Sequence, residues 1–121
     1  MIITEALHSY FHRSRLIDWA FQVEEILEEP IVKRYIGGDA VWQKTFALTS
    51  VDKGRELKSP ENLQDWLEAQ NRRKNLPELS DGKRALQVDC LNTGYLYTSA
   101  GKPDRCQIQI RLTYYQGGNT R

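Results

Sequence analysis

Two histidines four residues apart, His8 and His12, are the first side chains in this chain whose types and spacing could do chemistry. That spacing places both imidazoles on one face of a helix, where they could share a metal ion. A zinc site needs at least a third protein ligand, and the metalloprotease motif needs a glutamate between the pair. The intervening residues are Ser9, Tyr10 and Phe11, so no metal site is expected. Glu24-Glu25 and Glu28-Glu29 could be offered as paired carboxylates for acid and base work. No Gly-rich phosphate loop, nucleophile elbow or Cys/His pair stands beside them. They read instead as a solvated acidic face, or as partners for basic groups on a neighbouring subunit. Arg72, Arg73 and Lys74 suit the C-terminal end of a helix, where cations meet unpaired carbonyls, and an acidic protein or nucleic acid is their functional alternative. Tyr95, Tyr97, Tyr114 and Tyr115 could stack on bases, but Arg111 is the only basic residue interleaved in the same strands. Packing in the core or at a subunit interface is expected of them. No catalytic residue and no cofactor site emerges, and Arg72, Arg73, Lys74, Arg111 and Tyr115 are left as candidate contacts to another subunit or partner.

The two cysteines, Cys90 and Cys106, sit inside apolar alternation and are too few for a secreted disulfide framework. Both are expected reduced and buried. A hairpin of residues 85–97 and 104–115 around Ala100-Gly101 would bring Cys106 opposite Tyr95 and leave Cys90 further along the ladder. With 121 residues and 40% hydrophobic content, the chain can bury one core, so a single domain over 1–121 is expected. Its 17 basic and 16 acidic residues leave a formal charge of +1, which provides no whole-molecule field for nucleic acid or an anionic membrane. No apolar run approaches the ~20 residues that span a bilayer and no basic leader opens the chain, so synthesis in the cytoplasm is expected.

The elements that must position these residues can be read from periodicity. Ile2, Ile3, Ala6, Leu7, Tyr10 and Phe11 recur at helical spacing, giving a helix from Ile3 to Arg13. Leu16 to Leu27 scores both ways: Leu16, Ala20, Val23 and Leu27 fit a helix, Trp19, Phe21 and Val23 a strand. Pro30 ends that element, and Gly37-Gly38-Asp39 signals a turn. From Ala40 to Ser50 the alternation of a half-buried strand sets Trp42, Phe46 and Leu48 against Gln43, Thr45 and Thr49, with Lys44 an exception on the inner face. Asp52 to Lys58 has the composition of a mobile surface loop. Ser59, Pro60 and Glu61 start a second helix with a capping oxygen, a proline at its first position and an acid at the positive end of the dipole. Its buried stripe is Leu63, Trp66, Leu67 and Gln70, and Pro77 requires it to stop by about Asn75. Leu86, Val88 and Cys90 share one strand face, while Cys106, Ile108, Ile110, Leu112 and Tyr114 share another. Residues 117–121 are expected to form a flexible tail.

Several phrases, taken in order and spacing, resemble small tail terminator (tail completion) proteins of long-tailed bacteriophages and prophages. They are Pro-Ile-Val-Lys-Arg-Tyr-Ile-Gly-Gly from Pro30, Gln-Asp-Trp-Leu-Glu-Ala-Gln-Asn from Gln64, Leu-Pro-Glu-Leu-Ser-Asp-Gly-Lys from Leu76, Asn-Thr-Gly-Tyr-Leu from Asn92, and Gln-Ile-Gln-Ile-Arg-Leu-Thr-Tyr-Tyr-Gln from Gln107. The likeness covers roughly residues 30–116 and favours a strand over Trp19 to Ile26. The expected order is then helix, strand, strand, helix, strand, strand. That is an α+β fold with a mixed or antiparallel sheet of about four strands carrying two main helices. Its core would comprise Leu7, Phe11, Trp42, Phe46, Leu63, Trp66, Leu67, Val88, Ile108, Ile110 and Leu112. The resemblance implies a non-enzymatic virion subunit that closes into a homohexameric ring on the head-proximal end of the tail tube. There it would stop tube growth, with the tube protein and the neck or connector proteins as partners and no specific nucleic acid. A head-to-tail connector, or a small nucleic-acid-binding or regulatory module, are the alternative readings.

Overall fold

In the computed structural model of the chain, residues 2–57, 59–97, 100, 101 and 103–117 are described. The chain forms α1 (Ile3–Ser14), β1 (Phe21–Glu25), β2 (Ile31–Arg34), β3 (Ala40–Ser50), α2 (Pro60–Arg73), β4 (Lys83–Tyr97) and β5 (Pro103–Gln116). The strands make one antiparallel sheet in the order β1-β3-β5-β4, with β2 also paired to β3. The architecture is α+β, with five strands. Residues 118–121, most of the expected tail, and Lys58 lie outside the described residues.

Two elements differ from the sequence-based expectation. β2 is an additional strand: Pro30 does not leave an irregular linker but precedes a short segment in which Val32 lies opposite Trp42 and Arg34 opposite Ala40. β1 and β2 therefore share one edge of β3, β1 against Phe46–Ser50 and β2 against Ala40–Gln43. The tight turn between β2 and β3 uses Gly37 (φ 102°) and Gly38 (φ 94°), which occupy backbone space that a side chain resists. The segment 16–27 resolves to a strand, but one that begins at Phe21; Trp19 precedes it, and its indole N–H donates to the Glu56 carbonyl at 2.8 Å. β4 is a single long strand that absorbs bulges between Ala85 and Gln87 and between Cys90 and Asn92. The second bulge shifts the alternation so that Tyr95 falls opposite Cys106, and both cysteines are free.

Both helices lie on the sheet face that carries Phe46, Leu48, Ile108, Ile110 and Leu112. Leu7, Phe11, Leu63, Leu67 and Val88 complete the fully buried cluster. Trp42 and Trp66 are only partly buried, against the expectation for both. Trp66 wedges between the helices, its ring 5.1 Å from Tyr10 and 6.2 Å from Phe11, and its outer edge stays wet. Trp42 lies beyond the reach of the helices, where Arg34 and Lys44 cover its ring at 5.6 and 5.4 Å. Lys44 does sit on the helix-bearing face, and its ammonium meets Glu25 at 3.6 Å. Ile2 is exposed beside the start of α1. Ser59 occupies the N-cap position of α2, but its side chain makes no capping bond.

A few polar groups fasten these elements to one another. The Asn71 carboxamide accepts from the Val88 N–H at 3.0 Å and donates to the Val88 carbonyl at 2.9 Å. The buried Gln70 accepts from Asn75 at 2.6 Å. The Ser50 hydroxyl accepts from the Cys106 N–H at 3.1 Å and donates to the Asp52 carbonyl at 2.9 Å. Tyr10 donates its hydroxyl to the Asn75 carbonyl at 3.0 Å.

Ile110 is fully buried at the centre of the sheet, so Ile110→Ala is expected to cost roughly 2–5 kcal/mol through lost burial and a residual cavity. Denaturant unfolding should show a lower midpoint with unchanged slope; an unchanged midpoint would put the residue outside the core. Burial pushes the Tyr10 phenol from 10.0 up to about 12, with Arg13 pulling the other way. The folded state thus favours the protonated phenol, and that stability is complete below pH 10.0 and lost as pH rises through about 12. Melting curves across that window should fall more steeply for the wild type than for Tyr10→Phe.

Candidate functional site

α1 presents His8 and His12 on its exposed side, as their four-residue spacing requires. Their rings stack at 6.1 Å, and His8 stacks on Phe21 of β1 at 4.5 Å. They border a cleft of ≈ 690 Å³ between α1 and the segment entering β1, lined also by Arg13, Arg15, Asp18 and the edges of Ile17, Trp19 and Phe21. Among the described residues, no group of three or more His, Cys, Asp or Glu side chains converges to hold a metal. The cleft is thus an aromatic-floored recess bordered by two arginines and one aspartate, in which His8 leans on an apolar ring.

The acidic residues are dispersed. Glu25 turns to the helix-bearing face and pairs with Lys44, while Glu24, Glu28 and Glu29 are exposed. Arg72 and Arg73 lie in the last turn of α2, and Lys74 is its left-handed C-cap (φ 60°). All three are exposed. Arg111 is half-buried on the opposite face of the sheet, in register with Thr45 on one side and Asp89 on the other. Arg111 and the Arg72–Lys74 cluster therefore sit on different faces and form no single basic strip.

The tyrosines separate in the same way. Tyr114 is buried on the helix-bearing face, and burial pushes its phenol upward. Tyr115 is on the other face, where its hydroxyl donates to the Asp39 carboxylate at 2.6 Å, a bond that holds the proton and pushes the phenol's pKa up, and Arg84 lies over its ring at 5.4 Å. Tyr115 thus ties the β2–β3 turn to β5, an internal task. Tyr95 and Tyr97 are exposed near the β4–β5 hairpin.

The helix-free face of the sheet is lined with amides and hydroxyls. Gln107 donates to Thr49 at 3.3 Å, Gln109 to Gln107 at 3.3 Å and Asn92 to Gln109 at 3.2 Å. Such a ladder satisfies its own polar groups and leaves no concentrated charge.

Apolar side chains also stay exposed at places that periodicity does not mark. Leu27, Ile31, Tyr35 and Ile36 stand along the β1–β2 edge and the β2–β3 turn, with Leu27 96% exposed. Leu91, Tyr95, Leu96 and Tyr97 stand on the far half of β4. The two clusters occupy opposite edges and opposite ends of the sheet. The sequence held one usable signal: Tyr35 and Ile36 immediately precede Gly37-Gly38, and the tip of a tight hairpin cannot fold back onto its own core. Exposed apolar side chains grouped this way mark contact surfaces.

No family model matches the chain, and no curated protein or solved structure shows significant similarity to it.

Two imidazoles without a third ligand should not retain zinc. Elemental analysis of the purified protein is expected to show no stoichiometric metal, and a chelator to leave the unfolding midpoint unchanged. Zinc held through His8 and His12 would contradict this.

Proposed function

We propose that this protein is a non-enzymatic virion subunit of a long-tailed phage or prophage. In this reading it acts as a tail terminator: copies close into a ring, most simply a hexamer, that caps the head-proximal end of the tail tube, stops its growth and joins it to the neck. The observation that carries the reading is the pair of unlike apolar clusters, around Ile36 at one end of the sheet and around Tyr97 at the other. A subunit that sits between two different partners needs two different docking ends, and a tube below with a neck above meets that description. The resemblance of the second half of the chain to tail terminators supplies the particular assembly. A head-to-tail connector would use the same two ends one layer higher in the virion.

A nucleic-acid-binding module is less well supported, because Arg111 and the Arg72–Lys74 cluster lie on different faces. Identical subunits repeating head to tail must either close or continue as a filament, and a cap requires closure. Native mass spectrometry and electron microscopy should show closed rings when the protein is concentrated or when tails are present. Tails assembled without it should be irregular in length and fail to join heads; uniform, head-competent tails in its absence would defeat the proposal.

A further inference from the structure

The two helices are antiparallel. Arg15 and Leu16 share a crevice with Ser59 and Asn62, Phe11 meets Trp66, and Tyr10 reaches Asn75. The C-terminal end of α1 therefore lies level with the N-terminal end of α2. α1 also packs beside β1 and α2 beside β4, so the helices flank opposite edges of the sheet.

This arrangement distributes charge in a pattern that neither helix shows alone. On the α1 flank, the upper end carries His8, His12, Arg13 and Arg15 around the cleft, with Asp18 also in its lining. The lower end of that flank carries Glu5 and Glu24, which border the continuation of the groove along β1. On the α2 flank the order is inverted. Glu61, Asp65 and Glu68 occupy the upper part, and Arg72, Arg73 and Lys74 the lower end. All of these groups, Asp18 included, are exposed. Among the described residues, ion pairs join Lys44 to Glu25, Lys53 and Arg105 to Asp104, and Arg55 to Asp52, and none of these involves Arg13, Arg15, Glu61 or Asp65.

We infer that the α1 flank of one copy docks against the α2 flank of the next, in an interface between copies of this chain that rests on the reading of the protein as a ring subunit. A second copy set beside the first with its strands in the same direction brings base to acid at the upper level and acid to base at the lower level. Both levels agree, and the direction they require is the one that repeats head to tail. A two-fold pairing of α1 flanks would set Arg13 and Arg15 of the upper end against Glu5 and Glu24, and would leave every α2 flank unmatched.

The test is charge reversal in the full-length chain. One variant carries Arg13→Glu with Arg15→Glu, and the other carries Glu61→Lys with Asp65→Lys. All four positions are exposed, but they lie near helix ends, so reversal opposes the dipoles and should lower the unfolding midpoint modestly, and association is compared where circular dichroism shows each variant folded. Each variant alone now opposes like charges and should associate roughly tenfold or more weakly than wild type by light scattering and native mass spectrometry. Mixed in equal amounts, each variant's altered flank meets the altered flank's complement on the other, so alternating rings with an even number of subunits should re-form. Wild-type association should also weaken as salt shortens the screening length.

Variants that each assemble like wild type would overturn this interface and leave the ring itself intact. Individually dissociated variants that fail to restore assembly when mixed would overturn the pairing. Two-subunit particles as the end point of wild-type assembly would replace it with the two-fold contact. Failure of the terminator reading shows itself separately, as normal tails made without the protein.

Discussion

The pairing of β3 with β5 is the constraint on which the rest of this structure depends. From Ala40 against Gln116 to Thr49 against Gln107 the two strands run in unbroken register. Strand geometry sends alternate residues to opposite faces, so this single register fixes Phe46, Leu48, Ile108, Ile110 and Leu112 on one side and the glutamine and threonine residues on the other. A slip by one residue would expose the apolar set and bury the amides. Everything else is attached to this pair: β4 beside β5, the divided β1–β2 edge beside β3, and the helices on the apolar face.

The helices are too short to roof the whole sheet, and that shortfall shapes the surface. Around Phe46, Leu48 and Ile110, α1 and α2 cover the core. Beyond it, the segment carrying Leu76 and Leu79 and the cation-covered ring of Trp42 take over. The hairpins extend further still, to where no layer covers them, and the apolar side chains at their ends remain in water. Exposure of Ile36 and Tyr97 is thus a product of strands that outrun their helices.

The parts legible in the sequence are those in which one periodicity dominates. The alternation from Cys106 to Tyr114 placed β5, the spacing of Leu63, Leu67 and Gln70 placed the buried side of α2, and the hairpin centred near Gly101 placed Tyr95 opposite Cys106. β2 was not legible because four residues are too few to show a period, and Pro30 reads as a stop although proline is tolerated before an edge strand. The partial exposure of Trp42 and Trp66 was hidden for a different reason: alternation tells which face a residue occupies and nothing of how far a covering layer reaches. The charged flanks were less legible still. Arg72, Arg73 and Lys74 stand out as a run, but their relation to Glu5, or that of Arg15 to Glu61, exists only once two helices lie antiparallel on one sheet.

The bond between Asn71 and the backbone of Val88 bears on how such a chain behaves when crowded. β4 is a long strand at the margin of a sheet, the kind of template that recruits further strands and seeds fibrils. The Asn71 carboxamide offers Val88 one donor and one acceptor, as a neighbouring strand would, and so occupies the middle of that template from within the same molecule. Bulges on either side break the pitch that an incoming strand would need to follow. The middle of this margin is thereby a poor template for the addition of a further strand.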